Sequence, residues 1–419
     1  MRRASFAAPL VLVASLALLI PAARGEPPAP TVAPFLEADV PVFVNDETKM
    51  YRLPSLLVTA EGTVLAACKR EIGTTDNDFA RSCLVLRRSP DGGKTFEPEE
   101  TLYFREGYVT FNGNLVEDRQ TGTIFACFIT FPFAQRSTWF DKTWVPRGGG
   151  FWIVTSSDDG VTWSEPIEVM PEPNADGWRG GGALNCNHGV QLQHGPHAGR
   201  LVIAARTIKR GTYEKRAKGG LIYSDDHGQS WRVGAVVLRE FGSCNGEVAL
   251  AETADGEVYV NSRNTTSKND ALKKIFAEQG ELPGGIVPFR RIYSRSRDGG
   301  ETFYEEGCQE ELRDPPCNAG LTQCAMPGHG HLLLHTKPAA EKPGDRTHLT
   351  GYVSRDGGRT WIRGRVISAG SGGYSDVAVT ADGTILTLYE NRTDRAVLKG
   401  MLCARFDPSW LLAESSLPR

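Results

Sequence analysis

Over most of the chain, apolar and polar residues alternate in short runs, such as Ser82–Arg88, Phe151–Thr155 and Gly220–Tyr223, and helical periodicity is scarce. Alternation with a period of two puts every second side chain on one face, so these runs predict strands of a β protein. Five of them end in the same octet, Ser-x-Asp-x-Gly-x-Thr/Ser-Trp/Phe, at Ser89–Phe96, Ser156–Trp163, Ser224–Trp231, Ser296–Phe303 and Ser354–Trp361. The aspartates Asp91, Asp158, Asp226, Asp298 and Asp356 recur at intervals of 67, 68, 72 and 58 residues. Asp and Gly favour a tight turn, the Ser and Thr hydroxyls bond its backbone, and the aromatic ring packs beneath. Glu61-Gly62, Asp255-Gly256 and Asp382-Gly383 mark further hairpin turns between other alternating runs. A repeat of roughly 60–70 residues holding several strands is the size of a propeller blade. The remaining chain, about 380 residues, then predicts an all-β, six-bladed β-propeller. One or two acids per octet are too few for a cation site, so no metal is expected there.

The N-terminus departs from this pattern. Arg2 and Arg3 precede an apolar run from Phe6 to Ile20, then Pro21 and the small-residue stretch Ala22-Ala23-Arg24-Gly25. This is the layout of a secretory signal, so residues 1–25 are expected to be a leader, 26–40 a linker and 41–419 the propeller, in a secreted or periplasmic protein. The run is short for a membrane span, and no second one follows. The chain carries a net charge of −3, and removing Arg2, Arg3 and Arg24 with the leader makes it −6. A mildly acidic surface argues against nucleic acid as the main partner. Nine cysteines leave at least one unpaired within a monomer. Cys308, Cys317 and Cys324 suggest one disulfide, Cys186 and Cys244 a second, and no CxxC pair supports zinc.

The octets resemble the Asp-boxes of sialidases, which are six-bladed propellers, and the resemblance to the bacterial and animal-type family (glycoside hydrolase family 33) spans about residues 45–410. Asp-boxes also occur in propellers without enzymatic activity, so the other motifs must carry the function. Tyr51-Arg52-Leu53-Pro54 is similar to the motif that supplies the family's first triad arginine. Asn261-Ser262-Arg263 and Arg346, eight residues before Ser354, match the second and third. Gly373-Tyr374-Ser375 matches the nucleophile, Glu247 its glutamate partner, and Glu390 the acid that orients the first arginine. Arg70 matches a further pocket arginine, and Asn112 stands where relatives carry Asp or Asn against the sugar. The acid/base falls in Thr75-Asp76-Asn77-Asp78, where Asp78 is favoured over Asp76 by its offset from Arg87-Arg88. Gly177-Trp178 and the stretch from Gly189 to Leu201 extend the likeness through the middle of the chain.

The chemistry of such a site suits these residue types. Sialic acid bears a carboxylate on its anomeric carbon, which the planar fork of Arg can grip through both oxygens. A carboxylate nucleophile would be repelled by that group; a neutral tyrosine deprotonated during attack would not, and tyrosine is the known exception among glycosidase nucleophiles. Each residue taken singly is more often a packed or solvated side chain. It is their joint occurrence at family offsets that carries the argument.

The resemblance implies an exo-α-sialidase that needs no cofactor and acts on terminal sialic acid of glycoproteins, glycolipids or oligosaccharides. A trans-sialidase, an enzyme for the deaminated sugar acid and a non-catalytic glycan-binding propeller remain as alternatives. Asn264 to Phe289 is longer than the usual connection and holds a short helix over Asp270–Gln279, with Ala271, Leu272, Ile275 and Phe276 on its apolar face. It either walls the leaving-group side or forms a passive lobe. Phe131–Trp152 reads as a long aromatic loop containing Trp139, Phe140 and Trp144. Asn264-Thr265-Thr266 and Asn391-Arg392-Thr393 fit glycosylation sequons.

Overall fold

The structure, a computed structural model, describes residues 35–73, 80–135, 150–180, 186–209, 218–237, 244–266, 270–280, 282, 285–326, 330–339, 345–392 and 398–413. They form a six-bladed β-propeller. Blade I consists of Lys49–Val58, Val64–Ile72, Ser82–Ser89 and Glu100–Tyr103, and blade II of Tyr108–Asp118, Thr123–Pro132, Gly150–Ser156 and Ile167–Val169. Blade III is built on Leu201–Lys209, Lys218–Ser224 and Arg232–Val236, with the short strands Trp178–Gly180 and Val190–Gln191 at its inner edge. Blade IV comprises Cys244–Glu252, Val258–Asn264, Arg290–Ser296 and Glu305–Arg313.

Blades V and VI share one seven-stranded sheet, because the strand Ile362–Val379 runs from the outer edge of blade V to the inner position of blade VI. Gly320–Met326, Gly330–Pro338 and Thr347–Ser354 complete blade V. Ile385–Arg392 and Leu398–Phe406 continue blade VI. Its outermost strand is Leu36–Val44 from the start of the chain, paired antiparallel with Leu398–Phe406. This pairing closes the ring with hydrogen bonds rather than leaving an edge.

A separate apolar cluster fills each of the six junctions between neighbouring blades. The octets explain their regularity. In the first, Ser89 Oγ donates to Asp91 Oδ1 at 2.7 Å, Lys94 N and Thr95 N donate to the same oxygen at 3.0 Å, and Thr95 Oγ1 donates to Asp91 Oδ2 at 2.6 Å. The other four repeat this with their own residues. Their aspartates are thus held by their own turns. The octet glycine has a positive φ, 79° at Gly228, and a Cβ there would meet Phe125 at 2.4 Å.

Each octet joins the third and fourth strands of its blade and inserts its aromatic ring into the junction with the preceding blade. Phe96 enters the VI/I cluster, Trp163 the I/II, Trp231 the II/III, Phe303 the III/IV and Trp361 the IV/V. Blade VI has no octet because its fourth strand is the N-terminal one. There the helix Pro408–Leu412 puts Trp410 and Leu411 into the V/VI cluster, with Asp407 capping it by accepting from Trp410 N at 2.9 Å.

The helix Asp270–Gln279 lies at the bounds expected, with Leu272, Ile275 and Phe276 packed on the III/IV cluster. The cysteine expectations fail: Cys186, Cys308, Cys317 and Cys324 are all free thiols, and Cys324 packs in the V/VI core. Asn264 is also not a surface sequon. It is fully buried, donates to Val287 O at 2.9 Å and Arg290 O at 2.7 Å, and accepts from Thr266 N and Oγ1, so it ties the two ends of the insert together. Only the two ends of the expected aromatic loop are described, and they are regular: Phe131 and Trp152 sit in strands and Phe133–Gln135 forms a 3-10 turn, while Trp139, Phe140 and Trp144 lie outside the described residues.

Candidate active site

The octet turns and the Glu61-Gly62, Asp255-Gly256 and Asp382-Gly383 hairpins share one end of the blades. At the opposite end the first strand of a blade begins and its second finishes, so residues there from different blades converge on the axis.

Tyr374, at the start of blade VI's inner segment, is the centre of that convergence. Its Oη donates to Glu247 Oε1 at 2.5 Å and accepts from Arg263 Nη1 at 3.1 Å, and Arg263 Nη1 also bonds Glu247 Oε1. The guanidinium carbons of Arg346 and Arg52 stand 5.2 and 5.8 Å from the Tyr374 ring centroid. Arg346 Nη2 donates to Pro316 O at 2.7 Å. Three cations from blades I, IV and V therefore surround one phenol, with Leu53, Cys186, Cys317 and Phe111 packed against its ring.

Local backbone features aim these groups. The first strand of blade I shifts register between Arg52 and Ser55, and Leu53 takes a φ of 67°, an uncommon conformation for a branched residue that costs about 1–3 kcal/mol. This bulge turns Arg52 toward the axis, where its Nε donates to Glu390 Oε1 at 3.3 Å. The fully buried Glu390 also accepts from Leu53 N at 3.2 Å and, through Oε2, from Tyr374 N at 3.3 Å. It thereby holds the first arginine and the tyrosine in one geometry. A Cβ on Gly373 would lie 2.1 Å from Glu390 Oε2, so only glycine can precede Tyr374 here.

Beneath the tyrosine, Asp376 accepts from Leu56 N at 2.8 Å, His188 N at 3.0 Å and Asn187 Nδ2 at 3.1 Å. Asn187 in turn donates to Ala319 O at 3.0 Å and its carbonyl accepts from Asn114. One buried polar network thus joins blades I, II, V and VI with the segment leading into blade III.

Electrostatics set the protonation of the Glu247 carboxyl. Burial raises its pKa, but the charge and hydrogen bond of Arg263, the Tyr374 hydroxyl and the charge of Arg346 outweigh that and hold it below its ordinary 4.5. Burial lowers the Arg263 pKa, and the Glu247 charge more than reverses this, leaving it well above the usual guanidinium range. Glu247 is therefore an anion and Arg263 a cation at neutral pH.

Of the residues expected in the site, Arg52, Arg263, Arg346, Tyr374, Glu247 and Glu390 come together. Arg70 is directed elsewhere. Its side chain pairs with Glu99 and donates through Nε to Cys83 Sγ at 3.1 Å, while Tyr51 Oη donates to the same Glu99 at 2.5 Å. Strand alternation is the reason: Tyr51 pairs with Arg70 on one face, and Arg52 with Lys69 on the other. The buried Lys69 bonds Glu71 at 2.9 Å, and its Nζ stands 5.1 Å from the Phe111 ring. Lys69, Cys186 and Cys317 were not foreseen; the alternation of residues around Arg52 was the available signal for Lys69. Asp76 and Asp78 lie outside the described residues, as does the side chain of Asn112, whose backbone sits at a register shift in Tyr108–Asp118.

Known proteins resemble the chain in sequence and in fold. The BNR/Asp-box repeat model matches residues 222–233, around the third octet. The chain is 30% identical to a sialidase of Micromonospora viridifaciens over 96% of its own length, and spans 59% of that protein. It is 25% identical to Sialidase-2 of Rattus norvegicus, covering 80% of this chain and 86% of the relative. Among solved structures, the intramolecular trans-sialidase of Ruminococcus gnavus superposes with a TM-score of 0.68 at 17% identity, over 90% of this chain and 99% of that one. The Hadza microbial sialidase Hz136 does so with a TM-score of 0.66 at 22% identity, over 85% and 65%. At those identities the superpositions speak for the propeller fold, and the sequence relatives speak for the family. In its five octets, its closed ring of six blades and these relatives, the chain is similar to the Asp-box sialidases.

Proposed function

We propose that the protein is an exo-α-sialidase that removes terminal sialic acid from glycoproteins, glycolipids or oligosaccharides by a retaining mechanism, after export directed by residues 1–25. The observation that carries this reading is the 2.5 Å Tyr374–Glu247 hydrogen bond enclosed by Arg52, Arg263 and Arg346.

The three arginines grip the substrate carboxylate, with Glu390 fixing Arg52. Tyr374 Oη attacks the anomeric carbon as its proton passes to Glu247 Oε1, and the bond to the leaving oxygen breaks while Asp78 supplies that oxygen with a proton. The phenol enters neutral, so nothing repels the substrate carboxylate during approach. Water then attacks the same carbon, Asp78 takes its proton, and Glu247 returns a proton to the departing tyrosine oxygen. Two inversions give net retention.

Proton NMR of products from 4-methylumbelliferyl α-sialoside, with and without added lactose, tests this. Appearance of the α-anomer of free sialic acid first, with lactose unchanged, supports retaining hydrolysis. Sialyl-lactose as the main product identifies a transferase. Binding without turnover identifies a lectin-like propeller.

A further inference from the structure

The segment from Arg313 to Cys317 joins the last strand of blade IV to the first of blade V, and it contains two adjacent prolines, Pro315 and Pro316. Proline has no N–H and a fixed φ, so this stretch is stiff and offers mainly acceptors. Three basic side chains use them. Lys337 Nζ donates to Arg313 O at 2.6 Å, Arg346 Nη2 to Pro316 O at 2.7 Å and Arg291 Nη1 to Cys317 O at 2.7 Å.

Arg291 is the joint of this arrangement. It is fully buried, and besides Cys317 O it reaches Asp314 Oδ1 at 3.3 Å and, through Nε, Asn261 Oδ1 at 2.6 Å. Asp314 Oδ2 accepts from Asn264 N at 2.7 Å. Asn261 and Asn264 flank Arg263, while Cys317 follows the carbonyl on which Arg346 rests. A single guanidinium therefore ties the strand carrying one carboxylate-gripping arginine to the support of another. Blades IV and V are separate sheets, and a bidentate grip on a carboxylate tolerates little error in the spacing of its cations.

We propose that Arg291 and Asp314 are positioning residues that set the spacing of Arg263 and Arg346 for the substrate carboxylate. Neither touches the substrate. The inference rests on the sialidase reading above and deepens it, because it assigns the carboxylate grip to a bracket spanning two blades.

Arg291→Lys keeps the charge but loses the fork, and Asn261→Ala removes one arm of it while leaving the Asp314 pair. For each, KM and kcat on the umbelliferyl sialoside and the Ki of free sialic acid are compared with the melting temperature. Arg200→Lys serves as a control, since Arg200 holds Asp225 and Glu301 among the octet turns. The bracket predicts that Arg291→Lys raises KM and Ki together by about tenfold or more, with kcat changed less, and that Asn261→Ala shifts both in the same direction. The Arg200 variant melts earlier with KM and Ki unchanged. If Arg291→Lys does not fold, the Asn261→Ala shift decides. Variants that melt earlier yet keep wild-type KM and Ki overturn the bracket alone. A folded wild type with no affinity for sialic acid overturns the sialidase reading, and the bracket with it.

Discussion

Glu247→Gln separates the chemical role of the tyrosine's partner from its role in holding the pocket. The substitution keeps an oxygen that accepts the Tyr374 Oη hydrogen bond, 2.5 Å long in the wild type, but removes the charge and the basicity needed to take the proton. A positioned general base contributes about 10²–10⁴-fold, or about 3–5 kcal/mol of barrier, so kcat should fall by that factor. Breaking a buried pair costs about 3–5 kcal/mol, and the retained acceptor keeps the stability loss near the lower end. The Glu247 pKa is held below its ordinary 4.5 by Arg263, Tyr374 and Arg346 against the opposing effect of burial. A carboxyl depressed in this way stabilises the fold fully above its unfolded pKa and loses that contribution as pH falls through the folded value. The melting-temperature gap between wild type and variant should therefore be widest near neutrality and close on acidification below 4.5. Affinity for a sialic acid analogue should hold or improve, because the site loses an anion and keeps its three arginines. Steady-state kinetics, calorimetric titration and thermal melts at several pH values read all three effects. A kcat within threefold of wild type in a folded variant would refute the base assignment.

Asp78→Asn should abolish turnover of substrates with poor leaving groups while sparing the umbelliferyl sialoside more, and Asp76→Asn should do neither; comparing sialyl-lactose with the activated substrate checks this. The acid limb of kcat/KM should reflect Glu247 with an apparent pKa below 4.5, and Arg263→Ala should move it upward, because the leading opposing charge is gone. Asn264→Ala leaves Val287 O and Arg290 O without their donor, so limited proteolysis should cut within residues 265–289 sooner than in wild type.

The repeat and the blade count were legible because the octet is a local device: its hydrogen bonds close within eight residues, so sequence spacing alone reports it. The arginines, Tyr374, Glu247 and Glu390 were legible through their offsets from those landmarks. What sequence could not give were contacts between strands and between blades. Arg70 looked equivalent to a pocket residue, but its strand neighbour Lys69 shares the face of Arg52, and a one-residue difference in register decides which side chain turns inward. The cysteines misled for a similar reason. Cys308, Cys317 and Cys324 are close in sequence, yet Cys317 packs beneath Tyr374 and Cys324 lies in the V/VI core. Asn264 matched a surface tripeptide while serving as a buried clasp, and nothing in the tripeptide distinguishes the two. The substitute for a sixth octet, Trp410, was hidden because a different backbone delivers the same ring.

The central claim is that Tyr374 is the nucleophile, and the most direct measurement is release of 4-methylumbelliferone from its α-sialoside by wild type and Tyr374→Phe between pH 4 and 8. The account predicts turnover by the wild type and a loss of at least roughly a hundredfold in kcat for the variant, with affinity for free sialic acid retained through the three arginines. A folded Tyr374→Phe protein turning over within tenfold of wild type would contradict it.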